Sequence, residues 1–322
     1  MHDRQTYILL TIDVEDWFQV ENFRQYIPSS SWSSYELRVE KNIYRLLDIL
    51  DSKKIQSPAL HYENTPSTQN LAPTSQIRAT FFVLGWIAER LPHVVQEIHL
   101  RGHEIASHGY RHNLCNQISS DDLRRDLSKS KKLLENIIGY PVHGYRAPNF
   151  SISDEILKVI EECGYLYDSS YNSFSMHGRY GHLDLSRNCR RGVAFQIPRT
   201  QNSKSKIKNQ KSKIFYELPI SNLKFAHQVF PWGGGGYFRL IPFPLFKIGI
   251  KFILGQENAY LFYFHPWEID PDQPKVNDAP VFYKFRHYIN LSKTHIKLSK
   301  LIENFTHCNF ITCSQYLDEV RN

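Results

Sequence analysis

ATFFVLGWIAERLPHVVQEIHLRGHEIASHGYRH, residues 79–112, contains a strand, a helix and a second strand in close succession. The apolar run at its start predicts a buried strand. Pro92 is suited to the first turn of a helix and Gly102 to its end, and a short strand then leads directly to His108. The stretch therefore predicts a strand–helix–strand unit whose second strand ends at a histidine.

The same alternation continues on both sides of this unit. Upstream, Tyr7–Ile12 predicts a buried strand, and Ser33 with Glu36 predicts a capping box for the next helix. Downstream, strands are expected at 142–146, 165–167, 215–218, 260–264 and 309–312, and helices at 121–138, 153–163 and 281–305. Ile241–Leu254 is apolar but carries two lysines, and we favour a buried helix over one on a membrane surface. Repeated strands and helices predict a parallel sheet with right-handed crossovers.

Bulk properties narrow the function classes. The length of 322 residues fits one large domain or two small ones. The net charge is +7, but five lysines fall within residues 201–213, so no nucleic-acid partner is expected. Five scattered cysteines argue against a disulfide framework and for a reducing compartment. No signal peptide or transmembrane segment is visible, so a cytoplasmic protein is expected, with the inner membrane face as an alternative site.

Residues with catalytic or ligand chemistry stand at or just after the ends of five predicted strands. They are Asp13, His108, Arg146, Asp168 and His265. In parallel α/β folds the carboxyl ends of the strands meet at one edge, where function gathers. The sequence therefore predicts a single site at this edge.

Two of the histidines have the spacing of metal ligands. His108 and His112 lie four residues apart, and an acidic cluster at residues 13–16 follows the first strand. Two imidazoles and one carboxylate form a three-ligand site with a position left open for water, which suggests metal-assisted hydrolysis. A second pair, His99 and His103, is interrupted by a glycine and is not expected to share a helical face.

Taken in order, these positions resemble the five motifs of the polysaccharide deacetylases of the NodB-homology type, carbohydrate esterase family 4. The motifs are Thr11-Ile-Asp-Val-Glu15, His108-Gly-Tyr-Arg-His112, Arg146-Ala-Pro148, Tyr167-Asp-Ser-Ser170 and Phe264-His-Pro266. Residues 13–18 and 234–239 are similar to the subgroup found in exopolysaccharide loci with exosortase-type sorting systems. The resemblance spans most of the chain, apart from two segments read as inserted loops, 52–77 and 201–213.

The resemblance implies a fold and an activity. The fold is a distorted (β/α) barrel with parallel strands, forming one catalytic domain over residues 1–322 with a subgroup-specific part from about residue 266. The activity is metal-dependent removal of N-acetyl groups from amino sugars of a polysaccharide, an exopolysaccharide or its precursor. An N-acetylated glycan is then the partner, and a lipid-linked precursor would bring peripheral membrane association. Two alternatives stay open, a hydrolase of small amides and a glycan-binding relative without activity.

The resemblance also implies roles for individual residues. Glu15, His108 and His112 would hold the metal, with Zn²⁺ as the default and Co²⁺ or Mn²⁺ also fitting these ligands. Asp13 would be the general base. Arg146 would orient Asp13 and keep it ionised. His265 would be the general acid, and Asp168 would raise the pKa of His265 and fix its tautomer.

Three assignments rest on weaker signals. The commoner family pattern has two adjacent aspartates, whereas here the acids are Asp13, Glu15 and Asp16. Residues two apart on a strand share a face, so Glu15 is favoured as the ligand over Asp16, which would instead cap a helix or loop. A backbone N–H near Asn149 is expected to hold the oxyanion. Trp267 would stack on a sugar ring or pack in the core.

Overall fold

The computed structural model describes residues 5–53, 76–174, 180–186, 188–198 and 214–321. The lysine-rich segment 201–213 and most of the segment 52–77, both predicted as inserted loops, lie outside the described residues.

The centre of the fold is a ten-stranded mixed sheet with the order β11-β1-β2-β3-β4-β5-β8-β7-β6, in which β12 also pairs with β1. A separate hairpin is formed by β9 and β10. The strands are β1 Tyr7–Val14, β2 Ala79–Val83, β3 Glu104–Ser107, β4 Gly144–Tyr145, β5 Tyr167–Asp168, β6 Cys189–Arg191, β7 Ala194–Pro198, β8 Ile214–Glu217, β9 Leu223–Phe225, β10 Gln228–Phe230, β11 Ala259–Phe264 and β12 Asn309–Phe310.

Helices cover this sheet. The α-helices are α1 Val39–Asp51, α2 Gly85–Arg90, α3 Pro92–Leu100, α4 Ser120–Ile138, α5 Asp154–Glu162, α6 Gly235–Leu240, α7 Phe243–Glu257, α8 Val281–Tyr288, α9 Leu291–Asn304 and α10 Cys313–Arg321. Short 3₁₀ helices occupy several loops, at Trp17–Gln19, Glu21–Phe23, Ser29–Ser34, Cys115–Gln117, Pro148–Phe150 and Pro266–Ile269.

Parallel pairing runs unbroken from β11 through β1, β2, β3, β4 and β5 to β8, and the last two strands continue antiparallel. The path begins at β11 and ends at β6, so the sheet is an open, distorted barrel of the predicted class. Every residue of β2 and β11 is buried, because helices and loops cover both faces of the sheet. The carboxyl ends of the parallel strands therefore share one edge, where the site lies.

The predicted capping box of Ser33 and Glu36 is wrong. Helix α1 begins later, at Val39, and its first N–H groups find their acceptor far away in sequence. The Asp16 carboxylate accepts hydrogen bonds from the backbone N–H groups of Arg38 at 2.7 Å and Val39 at 2.9 Å. A local motif was expected, but a tertiary cap replaces it.

The single helix predicted over residues 281–305 is two helices, α8 and α9. The helix is interrupted at Asn290, whose φ of 56° lies in the left-handed region. The carbonyl groups of Arg286, His287 and Ile289, released at this break, accept hydrogen bonds from the guanidinium of Arg239. A cation at a helix carboxyl end satisfies carbonyls that have no partner within the helix.

Helix α7 is only half buried, so the expectation of a buried helix at Ile241–Leu254 holds for one face alone. Phe246, Ile250 and Ile253 pack into the core. Leu245 and Ile248 point outwards, with exposures of 52% and 62%. None of the helices formed by the described residues is both long and apolar enough to cross a membrane.

Replacing Asp16 by alanine is expected to lower the free energy of unfolding by about 3 kcal/mol, because buried N–H groups at the start of α1 lose their acceptor. Urea unfolding measures this change. The matched controls are S33A and E36A, at exposed positions, for which a change within about 0.5 kcal/mol is expected. A loss in S33A equal to that in D16A would contradict the tertiary cap.

Candidate active site

A cleft opens at the carboxyl edge of the sheet and gathers most of the predicted site residues. Its lining includes Asp13, Glu15, His108, His112, Asn149, His265 and Trp267. The other two, Arg146 and Asp168, are fully buried and do not line the cleft.

The loop that carries both predicted ligand histidines is irregular, not helical. Gly109, with φ 75°, and His112, with φ 54°, turn the chain so that both imidazoles reach the cleft. Helix α4 holds this loop from one side. Asp126 on α4 accepts hydrogen bonds from the backbone N–H groups of Tyr110, at 2.7 Å, and Arg111, at 3.3 Å. This fixed turn therefore brings the two histidines close together in the cleft.

The predicted metal ligands converge. The Nε2 atoms of His108 and His112 each lie 2.9 Å from Oε1 of Glu15. The three ligand atoms all lie within 4.8 Å of one another, which suits atoms that each contact one ion at about 2.0–2.2 Å. The Nδ1 of His108 lies 2.8 Å from the carbonyl oxygen of Arg146, a partner that would leave Nε2 free to face a bound ion.

The ionisation of Glu15 suits this task. Burial alone would raise the pKa of Glu15, but the positive charge of His112 and the hydrogen bonds from His108 and His112 outweigh burial and hold the pKa well below its usual value. A carboxylate and two imidazoles that all face one point are a donor set typical of Zn²⁺. The residues present therefore fit a divalent metal ion.

Asp16 is not part of this group. Its side chain points away from the cleft lining and accepts hydrogen bonds from backbone N–H groups, including that of Trp17 at 2.8 Å. Burial raises the pKa of Asp16 to about 6. Of the two acids that compete for the ligand role, the structure brings only Glu15 to the histidines.

Asp13 lines the same cleft as the predicted metal ligands and is held by Arg146. Nη1 of Arg146 donates to Oδ1 of Asp13 at 2.7 Å and to Oγ1 of Thr11 at 2.7 Å. Its Nε and Nη2 both donate to Ser169, at 2.8 Å. The guanidinium also lies 4.1 Å from the ring centroid of Phe82. Arg146 is thus fixed by contacts on several sides and can orient Asp13 without moving.

Asp168 does not contact His265, contrary to the expected role. Its two carboxylate oxygens accept hydrogen bonds from the hydroxyl and the backbone N–H of Ser170, at 2.8 and 2.9 Å. Across the strand pair β5–β8 it faces Glu217. Burial raises the pKa of Asp168, and burial together with the nearby Asp168 charge raises the pKa of Glu217 well above its usual range. Asp168 therefore supports the backbone beneath the site.

Glu268 makes the contact with His265 that was predicted for Asp168. Its Oε1 lies 2.9 Å from Nδ1 of His265, and its Oε2 accepts a hydrogen bond from Nε of Arg239 at 2.7 Å. With Nδ1 engaged, Nε2 of His265 faces Asp13, 3.9 Å from Oδ2. Burial opposes the charged imidazole, but the hydrogen bond to Glu268 and the charges of Glu15, Glu268 and Asp13 outweigh burial and raise the pKa of His265 to about 9.

Asn149 and Trp267 line the cleft in different ways. Asn149 has a left-handed φ of 51°, and its Nδ2 is a buried donor without a hydrogen-bond partner among the described residues. Trp267 is only 5% exposed, and its ring stacks with those of His265 and His287, at centroid distances of 5.2 and 4.3 Å. The indole ring is therefore packed against protein, and stacking on a sugar is not the role that its surroundings favour.

Sequence reasoning missed Glu268 and Arg239. Both are buried, and together they connect α6 to the loop after β11. Glu268 stands only three residues after His265, a spacing that places its carboxylate over the histidine in a short 3₁₀ helix. The spacing of His265 and Glu268 could therefore have indicated this contact from the sequence. The hydrogen bond from Arg239, which lies 29 residues from Glu268, could not have been predicted in that way.

Replacing Glu268 by glutamine is expected to move the alkaline limb of the kcat–pH profile to lower pH by about one to two units. Glu268 raises the pKa of His265, and a general acid loses activity as the pH rises through its pKa. kcat is measured from pH 6 to 10, with about five pH values on each limb of the profile. Each variant is first shown to unfold in the same transition as the unaltered chain.

The control for this experiment is D168N. It removes the carboxylate that the sequence assigned to His265, and its alkaline limb should stay at the position found for the unaltered chain. A shift in D168N without a shift in E268Q would restore Asp168 to the orienting role.

Comparison with known proteins assigns two consecutive segments of the chain. Residues 40–167 match the family model described as polysaccharide deacetylase, and residues 169–318 match a domain of unknown function, DUF3473. The two segments meet in β5, and both contribute strands to the one sheet. The extent of a single deacetylase domain over residues 1–322 stays a prediction.

The site contains residues from both matched segments and from the part of the chain before them. His108, His112 and Arg146 lie in the polysaccharide deacetylase segment, and His265 lies in the DUF3473 segment. Asp13 and Glu15 precede both.

Curated relatives match over about a third of the chain. A peptidoglycan-N-acetylglucosamine deacetylase of Bacillus cereus is 32% identical over 101 residues, which are 31% of this chain and 47% of the relative. A chitooligosaccharide deacetylase of Azorhizobium caulinodans is 30% identical over 105 residues, 32% of this chain and 50% of the relative. The chain thus spans no more than about half the length of these relatives.

A crystal structure from Mycobacterium smegmatis, whose assignment as a polysaccharide deacetylase is itself provisional, shares the fold. The similarity covers 100% of this chain and 92% of that one, with a TM-score of 0.60 and 18% identity. The two consecutive matches, the curated relatives and the shared fold agree. The chain therefore carries a polysaccharide deacetylase segment at residues 40–167, followed by a DUF3473 segment at residues 169–318.

Proposed function

We propose that this protein hydrolyses N-acetyl groups on amino sugars of a polysaccharide, with a divalent metal ion held by Glu15, His108 and His112. The supporting observation is that one cleft contains a fitting metal-ligand set, a carboxylate oriented by Arg146, and a histidine with a raised pKa. The curated relatives are named as deacetylases of peptidoglycan and chitooligosaccharide. We extend that reaction to this chain.

The chemistry requires an activated water, because an amide carbonyl is a poor electrophile. When bound, Zn²⁺ would lower the pKa of water and polarise the carbonyl group, and Co²⁺ or Mn²⁺ would also fit the ligands. Asp13 is the base in this proposal. Its Oδ1 is occupied by Arg146, so Oδ2 accepts the proton from water. The buried guanidinium keeps Asp13 oriented throughout.

Two further groups are needed, a proton donor for the departing amine and a hydrogen-bond donor for the oxyanion. His265, protonated and held by Glu268, donates from Nε2 to the departing amine. Asn149, which lines the cleft, is the proposed donor to the developing oxyanion. Its partnerless Nδ2 adds a candidate to the backbone N–H expected there.

The substrate class follows from the relatives and from the resemblance in the motifs. We infer a polymer of N-acetylhexosamine, with an exopolysaccharide or its precursor as the finer assignment. A cytoplasmic location stays a prediction from the sequence.

Acetate release from N-acetylhexosamine oligomers tests the proposal. The full chain is incubated with chitooligosaccharide and with peptidoglycan fragments, after metal removal by chelator and after addition of Zn²⁺. We expect release that falls to background without metal and returns with zinc. Equal release from fully metal-free protein would contradict the metal role. Binding of the oligomers without release would favour a glycan-binding relative, and cleavage of small amides alone would favour the other alternative.

A further inference from the structure

An exposed apolar surface lies next to the cleft. Of the twelve large apolar side chains with high exposure among the described residues, ten fall between residues 223 and 296. We call these ten the apolar face: Phe225, Phe230, Leu240, Leu245, Ile248, Phe252, Val281, Phe282, Phe285 and Ile296. Monomeric proteins rarely leave a large contiguous apolar patch in water unless it contacts something.

Several members of the apolar face lie close together. Leu240, Phe282 and Phe285 line one shallow groove between α6 and α8. Helix α7 starts three residues after α6 ends, and Leu245, Ile248 and Phe252 form a stripe along its outer side. The β9–β10 hairpin packs against α7 and adds its two phenylalanines. The groove also shares Gly236 and Arg286 with the cleft, so the two surfaces meet.

The charged residues within the two segments that contain this surface have one sign. No Asp or Glu occurs in residues 218–256 or 279–302, the two segments that contain the whole apolar face. The same segments carry nine Lys and Arg residues: Lys224, Arg239, Lys247, Lys251, Lys284, Arg286, Lys293, Lys297 and Lys300. Apart from the buried Arg239, none of the nine forms a salt bridge within the part of the chain that the structure describes.

The exposed apolar side chains and the positive charge together indicate the kind of partner. A second copy of this chain would bring the same cations together across a two-fold axis, because an isologous interface joins a patch to itself. A neutral glycan would not account for the exposed aliphatic side chains Leu245, Ile248 and Val281. A bilayer with anionic headgroups takes up apolar side chains and attracts Lys and Arg at the same time.

We propose that the apolar face docks on the surface of an anionic lipid bilayer. Phe282 and Phe285 of α8 and the outer stripe of α7 would enter the headgroup region, and the lysines, Lys251 among them, would contact anionic headgroups. Because the groove and the cleft share Arg286, docking places the cleft at the membrane surface, where glycans carried on lipids lie within reach. The inference does not depend on the proposed hydrolysis, because binding is measured without turnover.

Co-sedimentation with vesicles tests this inference on the full chain. The vesicles contain phosphatidylcholine alone, or phosphatidylcholine with about one third phosphatidylglycerol. We expect binding to the anionic vesicles that weakens in high salt and is much weaker on phosphatidylcholine alone. F282S/F285S and I248S/F252S are each expected to weaken binding by at least about tenfold. K251E should also weaken it, while L100S/Y140S, at the two exposed apolar positions outside the face, should not.

Thermal unfolding of each variant shows that it is folded. Failure of the unaltered chain to bind anionic vesicles would overturn the proposal, and so would unchanged binding by both double variants of the apolar face. A dimer in solution that F282S/F285S dissociates, without vesicle binding, would also overturn it and identify the face as an interface between two copies.

Discussion

Replacing Asp13 by asparagine is expected to lower kcat for acetate release by about a thousandfold, within the range that general-base catalysis contributes. The amide keeps the shape of the side chain but cannot take a proton from water. The proposed metal site should stay intact, because Glu15, His108 and His112 would hold the ion without Asp13. The measurements are kcat on N-acetylhexosamine oligomers and zinc content per chain.

The variant also removes a negative charge beside a buried guanidinium. Breaking a buried ion pair costs about 3–5 kcal/mol of stability, although Arg146 keeps its hydrogen bonds to Thr11 and Ser169. Urea unfolding therefore accompanies the kinetics, and rates are compared for folded protein. The control is D16N, a buried carboxylate three residues away that does not line the cleft. Folded D16N should keep its activity. Full activity in D13N would remove Asp13 from the role of base.

Removing one imidazole, in H108A or in H112A, is expected to lower zinc affinity by more than about a hundredfold and to lower activity at limiting zinc in parallel. Loss of a partner outside the ligand set already costs about 10–100-fold, and a lost ligand costs more. Competition against a zinc indicator measures the affinity directly, without turnover.

The chain provides a matched control in its other pair of histidines at the same spacing. His99 lies on α3, and His103, which precedes β3, accepts a hydrogen bond from the N–H of Ala79 through Nδ1 at 3.2 Å. H99A should bind zinc as the unaltered chain does. One zinc per chain at native affinity in H108A would exclude His108 as a ligand.

The features that the sequence predicted depend on short-range patterns. β11 is a continuous apolar run and β1 is mostly apolar, and a residue at the end of a parallel strand is placed by the topology alone. Asp13, His108 and His265 were located for that reason. Glu15 was preferred to Asp16 by strand alternation, and the histidines approach only Glu15.

The features that the sequence did not predict depend on distant partners. The cap of α1 comes from Asp16, 23 residues before Val39. The break between α8 and α9 is stabilised by Arg239, about 50 residues earlier in the chain. The partner of His265 is a neighbouring glutamate, whereas the family pattern pointed to Asp168. Family patterns carry a role to a position, but a nearby side chain of the same chemistry can take it over.

The pairing of β1 with β11 also determines when the cleft can form during synthesis. Thr11 of β1 bonds to Phe262 of β11, 251 residues later, and His265 follows directly. A ribosome adds about 5–20 residues per second, so roughly 10–50 s separate the emergence of Asp13 from that of His265. Until then β1 lacks its pairing with β11, and the pairing with β12 follows later still. A nascent chain that ends before residue 265 therefore lacks the proposed general acid, and it also lacks the strand that places this residue beside Asp13.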